Sequence, residues 1–276
     1  MRTIGFPSIL FLSIIFLAAC SDNGSRSDSM QSDQKKVVEK SIDKLSGKKI
    51  FFGHQSVGVN IIDGIDDIFN QTSGKKLNLA ETRNPADFGK PLFAHTKIGT
   101  NSDPSSKLAD FEKIIVSGVG DKVDIAFFKF CYVDITAGSD LEKIFREYAD
   151  TMSQLKKRYP RVTFVHVTVP LMTINKGLKA KIMKMTGLGN REEYDDNIKR
   201  NEFNSRLLKE YRGKELVFDL ASIEATAPDG KVESFTAGGK TYTALYPKYS
   251  NDGGHLNENG RRKTAEKLLL TLSSLQ

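Results

Sequence analysis

Two short loops, one near each end of the sequence, carry residue types that together could activate a hydroxyl group. Ser56 lies close behind an apolar run, and Asp252 and His255 lie three positions apart in a glycine-containing stretch. A tight turn can bring a carboxylate to Nδ1 of such a histidine, which fixes the imidazole tautomer and leaves Nε2 to take a proton. A serine facing that nitrogen is a nucleophile for acyl chemistry.

Each loop alone also has a simpler interpretation. Ser56 stands at the start of a predicted helix, where a serine commonly caps the first turn, and His255 is equally compatible with an exposed histidine in a surface turn. The same helix start favours negative charge developing on a substrate, because the first N–H groups and the helix dipole point toward it. The two loops therefore predict a catalytic site only if the fold brings them to one edge.

The chain between these loops alternates apolar strands with amphipathic helices. Strands are predicted at residues 48–53, 77–80, 123–130, 162–169 and 215–220. Helices are predicted at residues 57–69, 105–116, 141–159, 192–211 and from 258 onward, and residues 225–247 are predicted as a hairpin or rim loop.

Strands that are apolar on both faces and separated by helices indicate a parallel sheet covered on both sides. The predicted fold class is therefore α/β, a three-layer α/β/α sandwich with a mostly parallel central sheet of the flavodoxin-like kind. Ligands bind beyond the carboxyl ends of the strands in such sheets. Ser56 follows the first strand and His255 precedes the last helix, so both are predicted at that edge.

These features together resemble the SGNH, or GDSL-type, hydrolase superfamily over residues 48–276. Its members place a serine after the first strand, a glycine after the second, an asparagine after the third and Asp-x-x-His before the last helix. The resemblance implies that Ser56 is the nucleophile, His255 the base and Asp252 the carboxylate that orients it. It also implies ester hydrolysis with an oxyanion-hole N–H from Gly99, although that glycine is equally compatible with a plain turn.

Two segments depart from the superfamily pattern. Residues 54–56 read His-Gln-Ser instead of Gly-Asp-Ser, and residues 130–134 read Phe-Cys-Tyr-Val-Asp where the superfamily has Gly-x-Asn-Asp. Alignment of the final aspartate places Val133 at the asparagine position, and valine has no donor. Removal of one oxyanion donor typically slows an enzyme about a hundred- to a thousandfold. Either another group substitutes, or the protein is not an efficient hydrolase.

Three polar residues near these loops are candidates for the substitute: Asn101, Gln55 and Lys129. Lys129 belongs to an apolar strand, where a cation needs a partner or must extend to the rim; its simpler interpretation is a strand-end lysine with its head in solvent. Without a substitute donor, the fold would suit a non-catalytic glycan-binding lipoprotein. A further alternative is O-acyl transfer, in which the same serine passes its acyl group to a sugar hydroxyl.

The N-terminus has the features of an export signal. Arg2 precedes an uncharged apolar run over residues 9–19, which is short for a membrane span. The run ends in Leu-Ala-Ala-Cys at residues 17–20, which resembles a bacterial lipobox and implies cleavage before Cys20 and a lipid on its sulfur. An ordinary signal peptide with an incidental cysteine is the alternative. The predicted domains are a signal peptide (1–19), a segment with the lipidated cysteine, a flexible tether over residues 21–34 and a leading helix (20–46 in all), and the hydrolase-like domain (47–276).

Composition narrows the function classes further. The 276 residues include 41 Lys and Arg against 34 Asp and Glu, a net charge of +7 that is too modest to indicate a nucleic-acid partner. Two cysteines exclude a disulfide scaffold and a multi-cysteine metal site, and Cys131 is expected in the core. The four histidines lack the spacing of a metal site, so neither a metal nor another cofactor is predicted.

The resemblances together imply a location and a substrate. A lipid on Cys20 would make the membrane a partner and place the protein in the bacterial cell envelope. Ser21 stands where an inner-membrane retention signal usually has aspartate, which favours the outer membrane. The implied substrate is a short acyl ester, such as an O-acetyl group on an envelope or extracellular carbohydrate.

Overall fold

The structure is a computed structural model that describes residues 23–71, 74, 76–174 and 191–275, with side chains described from residue 33 and, in the last range, from residue 194. The chain divides by its internal contacts into a unit of residues 1–36 and a unit of residues 37–276. The residues discussed below as a functional site all belong to the second unit.

The described residues form the following elements. The strands are β1 (Lys49–His54), β2 (Leu79–Glu81), β3 (Leu92–Lys97), β4 (Ile125–Phe128), β5 (Thr163–Val167), β6 (Val217–Phe218), β7 (Ser234–Ala237) and β8 (Lys240–Thr243). The helices are α1 (Asn23–Leu45), α2 (Ser56–Gln71), α3 (Pro104–Ile114), α4 (Leu141–Arg158), α5 (Arg191–Tyr211), α6 (Leu220–Ala225) and α7 (Glu258–Ser273).

Strands β1 to β6 form one sheet in the order β2-β3-β1-β4-β5-β6, with every neighbouring pair parallel. The chain passes from β1 to the edge strand β2, returns to β3 beside β1, and then crosses to β4 on the other side of β1, so the winding direction reverses between β1 and β4. A crevice opens beyond the carboxyl ends of the strands at such a reversal. The loops that follow β1 and β4 border this crevice.

Helices cover both faces of the sheet, which gives three layers. Side chains of α3, α4 and α5, such as Phe111, Tyr148 and Phe203, pack on one face. Side chains of α2 and α7, such as Ile65 and Leu268, pack on the other. The predicted fold class is confirmed, because buried strands that alternate with amphipathic helices have produced a parallel sheet between two helical layers.

Several elements differ from the sequence-based prediction. Strand β3 was not predicted, because its half Leu92–Ala94 is apolar but its other half, His95–Lys97, is polar. Strand β6 is only two residues long, and the short helix α6, which was also not predicted, follows it at once. The predicted hairpin is present as β7 and β8, joined by Gly238 and Gly239, which both have positive φ.

The N-terminal prediction differs in one respect that the structure describes. Residues 23–34, predicted as part of a flexible tether, belong to helix α1. Its later turns are held by the burial of Val38 and Ile42. Once these turns have formed, each further residue that joins the helix adds a hydrogen bond without a new nucleation step, so the helix extends into residues 23–34. The signal peptide and Cys20 lie outside the described residues. Within the described part of the chain, no helix is both long enough and apolar enough to span a membrane.

Candidate active site

Ser56 is the first residue of α2 and is half-buried at the carboxyl edge of the sheet. Only Gln55 separates it from β1, so the chain turns sharply from strand to helix. Gly58 allows this turn, because a Cβ at that position would lie 2.2 Å from Cβ of His54. The Ser56 N–H belongs to the first turn of α2, whose N–H groups have no intrahelical acceptor and stabilise negative charge near the helix start.

Asp252 and His255 occupy a turn that is closed by an antiparallel bridge between Ser250 and Leu256. Asp252 Oδ2 lies 2.6 Å from His255 Nδ1, while Oδ1 accepts the N–H groups of Gly254 at 2.9 Å and His255 at 2.8 Å. These hydrogen bonds, the one from Gly254 first, hold the pKa of Asp252 well below its ordinary value. The carboxylate is therefore charged, and Nδ1 of His255 donates to it.

The two loops meet at hydrogen-bond distance. His255 Nε2 lies 2.9 Å from Ser56 Oγ across 199 positions of sequence. Helices α2 and α7 hold the loops together: the N–H of Leu256 donates to Asn60 Oδ1 at 3.1 Å, and Arg261 pairs with Asp67 at 2.6 Å. The structure thus brings the three residues predicted as nucleophile, base and orienting carboxylate into one chain of hydrogen bonds.

A glycine on α2 explains how the two helices come so close. A Cβ at Gly64 would lie 2.4 Å from the carbonyl oxygen of Arg261 and 3.0 Å from Cβ of Ala265. No larger side chain fits there without moving α7, and α7 carries the His255 turn at its start. Gly64 therefore contributes to the alignment of Ser56 with His255, although it lies two turns away from Ser56.

Tyr132 is a site residue that the sequence did not single out. It follows β4, and its Oη lies 3.4 Å from Nε2 of His255. Its ring meets the His255 ring edge to face, with 5.7 Å between centroids. The sequence alignment had placed Val133 at the asparagine position, but it is the side chain one residue earlier that reaches the site. A hydroxyl-bearing residue directly beside the unsuitable valine was the available signal.

Comparisons with known proteins find similarity among solved structures. No protein-family model and no curated protein matches the sequence. The chain is similar to a member of the lipolytic protein G-D-S-L family from Veillonella parvula, at 16% identity and a TM-score of 0.45, with 80% of this chain and 94% of that chain covered. It is also similar to a candidate SGNH hydrolase from Slackia heliotrinireducens, at 14% identity and a TM-score of 0.44, with 82% of this chain and 99% of that chain covered. A candidate GDSL-like lipase from Parabacteroides merdae is similar at 12% identity and a TM-score of 0.46, with 83% of this chain and 97% of that chain covered.

The observed parallel sheet between two helical layers agrees with the α/β/α fold class predicted from the sequence. The backbone N–H of Gly99 does not have the free position expected of an oxyanion-hole donor. Its N–H donates to Asp110 Oδ2 at 3.0 Å and so is already engaged. Gly99 has φ +52, and a Cβ there would lie 2.6 Å from the backbone nitrogen of Lys107. The turn interpretation therefore fits this glycine, because both its backbone conformation and the close approach exclude a side chain.

Gln55 and Lys129 are also committed to internal contacts. Gln55 Nε2 donates to the carbonyl oxygens of Ile98 at 2.7 Å and Gly99 at 2.9 Å, so it ties the β1 loop to the β3 loop. Lys129 is only 1% exposed, which contradicts the interpretation with its head in solvent. Its Nζ donates to the carbonyl oxygen of Phe130 at 3.2 Å. Neither geometry supports the predicted role as a free oxyanion donor.

Asn101 is the predicted donor that keeps an open amide. Its Oδ1 accepts from Lys107 Nζ at 2.9 Å, and the same Nζ lies 2.5 Å from Asp134 Oδ2. Lys107 and Asp134 have side chains that are 0% exposed, so this ion pair is a rigid, desolvated anchor. Asn101 itself is exposed, and within the described residues neither its N–H nor its Nδ2 donates to an acceptor.

Cys131, His166 and His54 lie in the interior, whereas His95 is half-buried. Cys131 is a free buried thiol, as predicted. His166 is buried and bonded on both ring nitrogens, to Tyr148 at 2.7 Å and Glu215 at 2.9 Å. His54 bonds the backbone, because its Nδ1 lies 2.9 Å from the carbonyl oxygen of Gln55.

Proposed function

We propose that the protein is a serine ester hydrolase in which Ser56, His255 and Asp252 form the catalytic triad. The observation that carries this proposal is the continuous path from Ser56 Oγ to His255 Nε2 at 2.9 Å and from His255 Nδ1 to Asp252 Oδ2 at 2.6 Å. A charged carboxylate on Nδ1 presents the lone pair of Nε2 to the serine hydroxyl. This arrangement suits general-base activation of an alcohol.

The reaction follows from the positions of these atoms. Ser56 Oγ attacks the acyl carbon while His255 Nε2 takes the hydroxyl proton. The oxyanion that forms is met by the Ser56 N–H at the start of α2, and Asn101 is the candidate for a second donor. The carbon–oxygen bond to the alcohol then breaks, and Nε2 returns the proton to the departing oxygen. Water, activated by the same nitrogen, releases the acyl group from Ser56.

The proposed substrate is a short acyl ester on a bulky alcohol, such as an O-acetyl group on an envelope or extracellular carbohydrate. The side chains of His255 and Asp252 are 41% and 57% exposed. An open site of this kind admits a polymer that carries a small acyl group, whereas a long acyl chain needs a covered apolar channel. Open access for water also favours hydrolysis over transfer of the acyl group to a sugar.

We further propose that the protein is held in the bacterial cell envelope by a lipid on Cys20, with the outer membrane favoured over the inner. This proposal rests on the lipobox-like run before Cys20 and on Ser21 after it. Metabolic labelling with an alkyne fatty acid would test it. Cys20→Ala should abolish the label and release the protein from membranes, and label that persists in this variant would overturn the proposal.

The activity is tested with the full chain on p-nitrophenyl acetate and on an O-acetylated polysaccharide. Ser56→Ala should abolish hydrolysis of both substrates. Ser46→Ala is the matched control, because Ser46 precedes β1 at the opposite edge of the sheet and its hydroxyl donates to the Asp43 carbonyl oxygen, away from the site. Equal rates in the wild type and Ser56→Ala would overturn the esterase proposal in favour of a non-catalytic binding protein. Acylation of an added sugar in place of acetate release would identify a transferase.

A further inference from the structure

Tyr132 has a position relative to His255 that the triad alone does not explain. Its Oη lies 3.4 Å from His255 Nε2, and Ser56 Oγ lies 2.9 Å from the same nitrogen. Two hydroxyl groups therefore flank the one atom that carries the proton during the proposed reaction. Serine is the nucleophile, so the phenol is a second polar group placed directly at the reacting atoms.

The phenol is held in place by surroundings that leave it little freedom. Arg200, which is 1% exposed, donates from Nε to the Tyr132 carbonyl oxygen at 2.7 Å and lies 5.9 Å from the ring centroid. On the other side, Gly254 makes room for the ring, since a Cβ there would lie 2.8 Å from Cζ of Tyr132. Such packing preorganises the hydroxyl before any substrate binds.

The phenol also keeps its proton. Burial raises the pKa of Tyr132, and the nearby carboxylate of Asp252 raises it further, although Arg200 acts in the opposite direction. The hydroxyl at this position is consequently a neutral hydrogen-bond donor near neutral pH.

Tyr132 lies beside His255 Nε2, and the position of this nitrogen determines which oxygen of the substrate the phenol can reach. Nε2 must return its proton to the departing alcohol oxygen, so that oxygen lies within hydrogen-bond reach of Nε2 when the bond breaks. The carbonyl oxygen of the ester is instead turned toward the N–H of Ser56 at the start of α2. A donor beside Nε2 is therefore on the alcohol side of the ester.

We propose that Tyr132 donates a hydrogen bond to the alcohol oxygen of the scissile ester and so adapts the site to esters of weakly acidic alcohols, such as sugar hydroxyls. This inference rests on the proposed esterase function. As the carbon–oxygen bond breaks, negative charge moves onto the alcohol oxygen. The proton it finally receives comes from His255 Nε2, while Tyr132 supplies only a hydrogen bond and retains its own proton.

The test compares Tyr132→Phe with the wild-type chain on a series of acetate esters whose alcohols range from p-nitrophenol to trifluoroethanol, ethanol and a methyl glycoside. The measured quantity is kcat/KM, because it reports the step in which the alcohol leaves. Phenylalanine keeps the ring and its packing and removes only the hydroxyl. Tyr246→Phe is the matched control, since it removes a hydroxyl from another half-buried tyrosine that packs on Tyr249.

The loss in Tyr132→Phe should be smallest for p-nitrophenyl acetate and grow to about ten- to a hundredfold for the glycoside acetate, the range of a hydrogen bond to a developing charge. A plot of log kcat/KM against the pKa of the alcohol should thus be steeper in the variant, and Tyr246→Phe should follow the wild type. A loss of equal size for every ester, or no loss, would overturn the proposal. Absence of hydrolysis in the wild type would instead overturn the esterase function.

Discussion

Two histidines lie close to Ser56 in the fold, and they differ in almost every physical respect. His255 is 41% exposed on its side chain and has a charged carboxylate on Nδ1. His54 is 1% exposed, with its Nδ1 on the carbonyl oxygen of Gln55 and its Nε2 3.1 Å from Nδ1 of His95. The comparison indicates that proximity to Ser56 alone does not suit a histidine to the proposed role of base.

The hydrogen bonds of His54 determine where its protons lie. A carbonyl oxygen can only accept, so Nδ1 of His54 must donate to Gln55, and its Nε2 must then accept from Nδ1 of His95. Neither nitrogen has a lone pair left for a substrate. Burial lowers the pKa of His54 to about 3, so the ring stays neutral. His255, in contrast, has a carboxylate beside it that stabilises the imidazolium formed during catalysis.

The largest effect should come from removal of the catalytic base. His255→Ala should lower kcat for acetate esters by about a thousand- to ten-thousandfold or more, since no other group takes the proton of Ser56. His54→Gln should keep activity within about fivefold, because that residue is not a base. Steady-state kinetics of both variants checks the contrast. Similar losses in the two variants would break the distinction between the histidines.

The next largest effect concerns the carboxylate that distinguishes the two histidines. Asp252→Asn should lower kcat by about a thousandfold, because an amide can present its N–H to Nδ1 and stabilise the wrong imidazole tautomer. The asparagine oxygen can still accept the N–H groups of Gly254 and His255, so the turn should keep its shape. A thermal unfolding midpoint close to that of the wild type would confirm that the loss is chemical. Full activity in this variant would show that the carboxylate is dispensable.

A smaller effect is expected from removal of Asn101, the candidate second donor to the oxyanion. Asn101 resembles His255 in having one polar atom held by a charged partner, Lys107, while its Nδ2 donates to no acceptor among the described residues. Asn101→Ala should lower kcat by about ten- to a hundredfold with little change in KM, the signature of a donor used only in the transition state. Asn84→Ala is the control, because Asn84 caps only a short turn. An unchanged kcat in Asn101→Ala would exclude it from the oxyanion hole.

The smallest effect is a pH dependence of stability rather than of activity. The folded-state pKa of His54 is held far below the unfolded value of 6.5, chiefly by burial, with His95, Lys129 and Lys97 also lowering it. The unfolded chain therefore binds a proton below pH 6.5 that the folded chain refuses, and stability is lost as the pH falls from 6.5 toward 3. His54→Gln should lose about 2 kcal/mol less free energy of unfolding than the wild type between pH 7 and pH 5. Urea unfolding at both pH values measures this difference, and equal losses would contradict a neutral buried His54.

The meeting of Ser56, His255 and Asp252 could be predicted because its evidence is local and its placement follows from topology. Ser56 at a strand–helix junction and the Asp252–His255 spacing are visible in the sequence, and a parallel sheet sends the ends of its strands to one edge. Strand β3 could not be predicted because its second half, His95–Lys97, is polar and leaves no continuous apolar run. Helix α6 escaped because six residues are too few for a periodic signal.

The donors of the site were harder to predict because they depend on tertiary hydrogen bonds. Nothing near Gly99 in the sequence indicates that Asp110, eleven residues later, would occupy its N–H. Likewise, the single-residue difference between Val133 and Tyr132 depends on how the short turn after β4 is wound, which is set by the buried carboxylate of Asp134. Residue type and spacing located the chemistry, but packing decided which polar groups remain available.

The most direct test of the triad is covalent labelling of the full chain with a fluorophosphonate, followed by peptide mass spectrometry. Such a probe phosphonylates only a serine whose hydroxyl is activated by a neighbouring base. The account predicts a single modified serine at Ser56 in the wild type, and loss of this modification in His255→Ala but not in His54→Gln. An unmodified Ser56, or labelling that persists without His255, would contradict it.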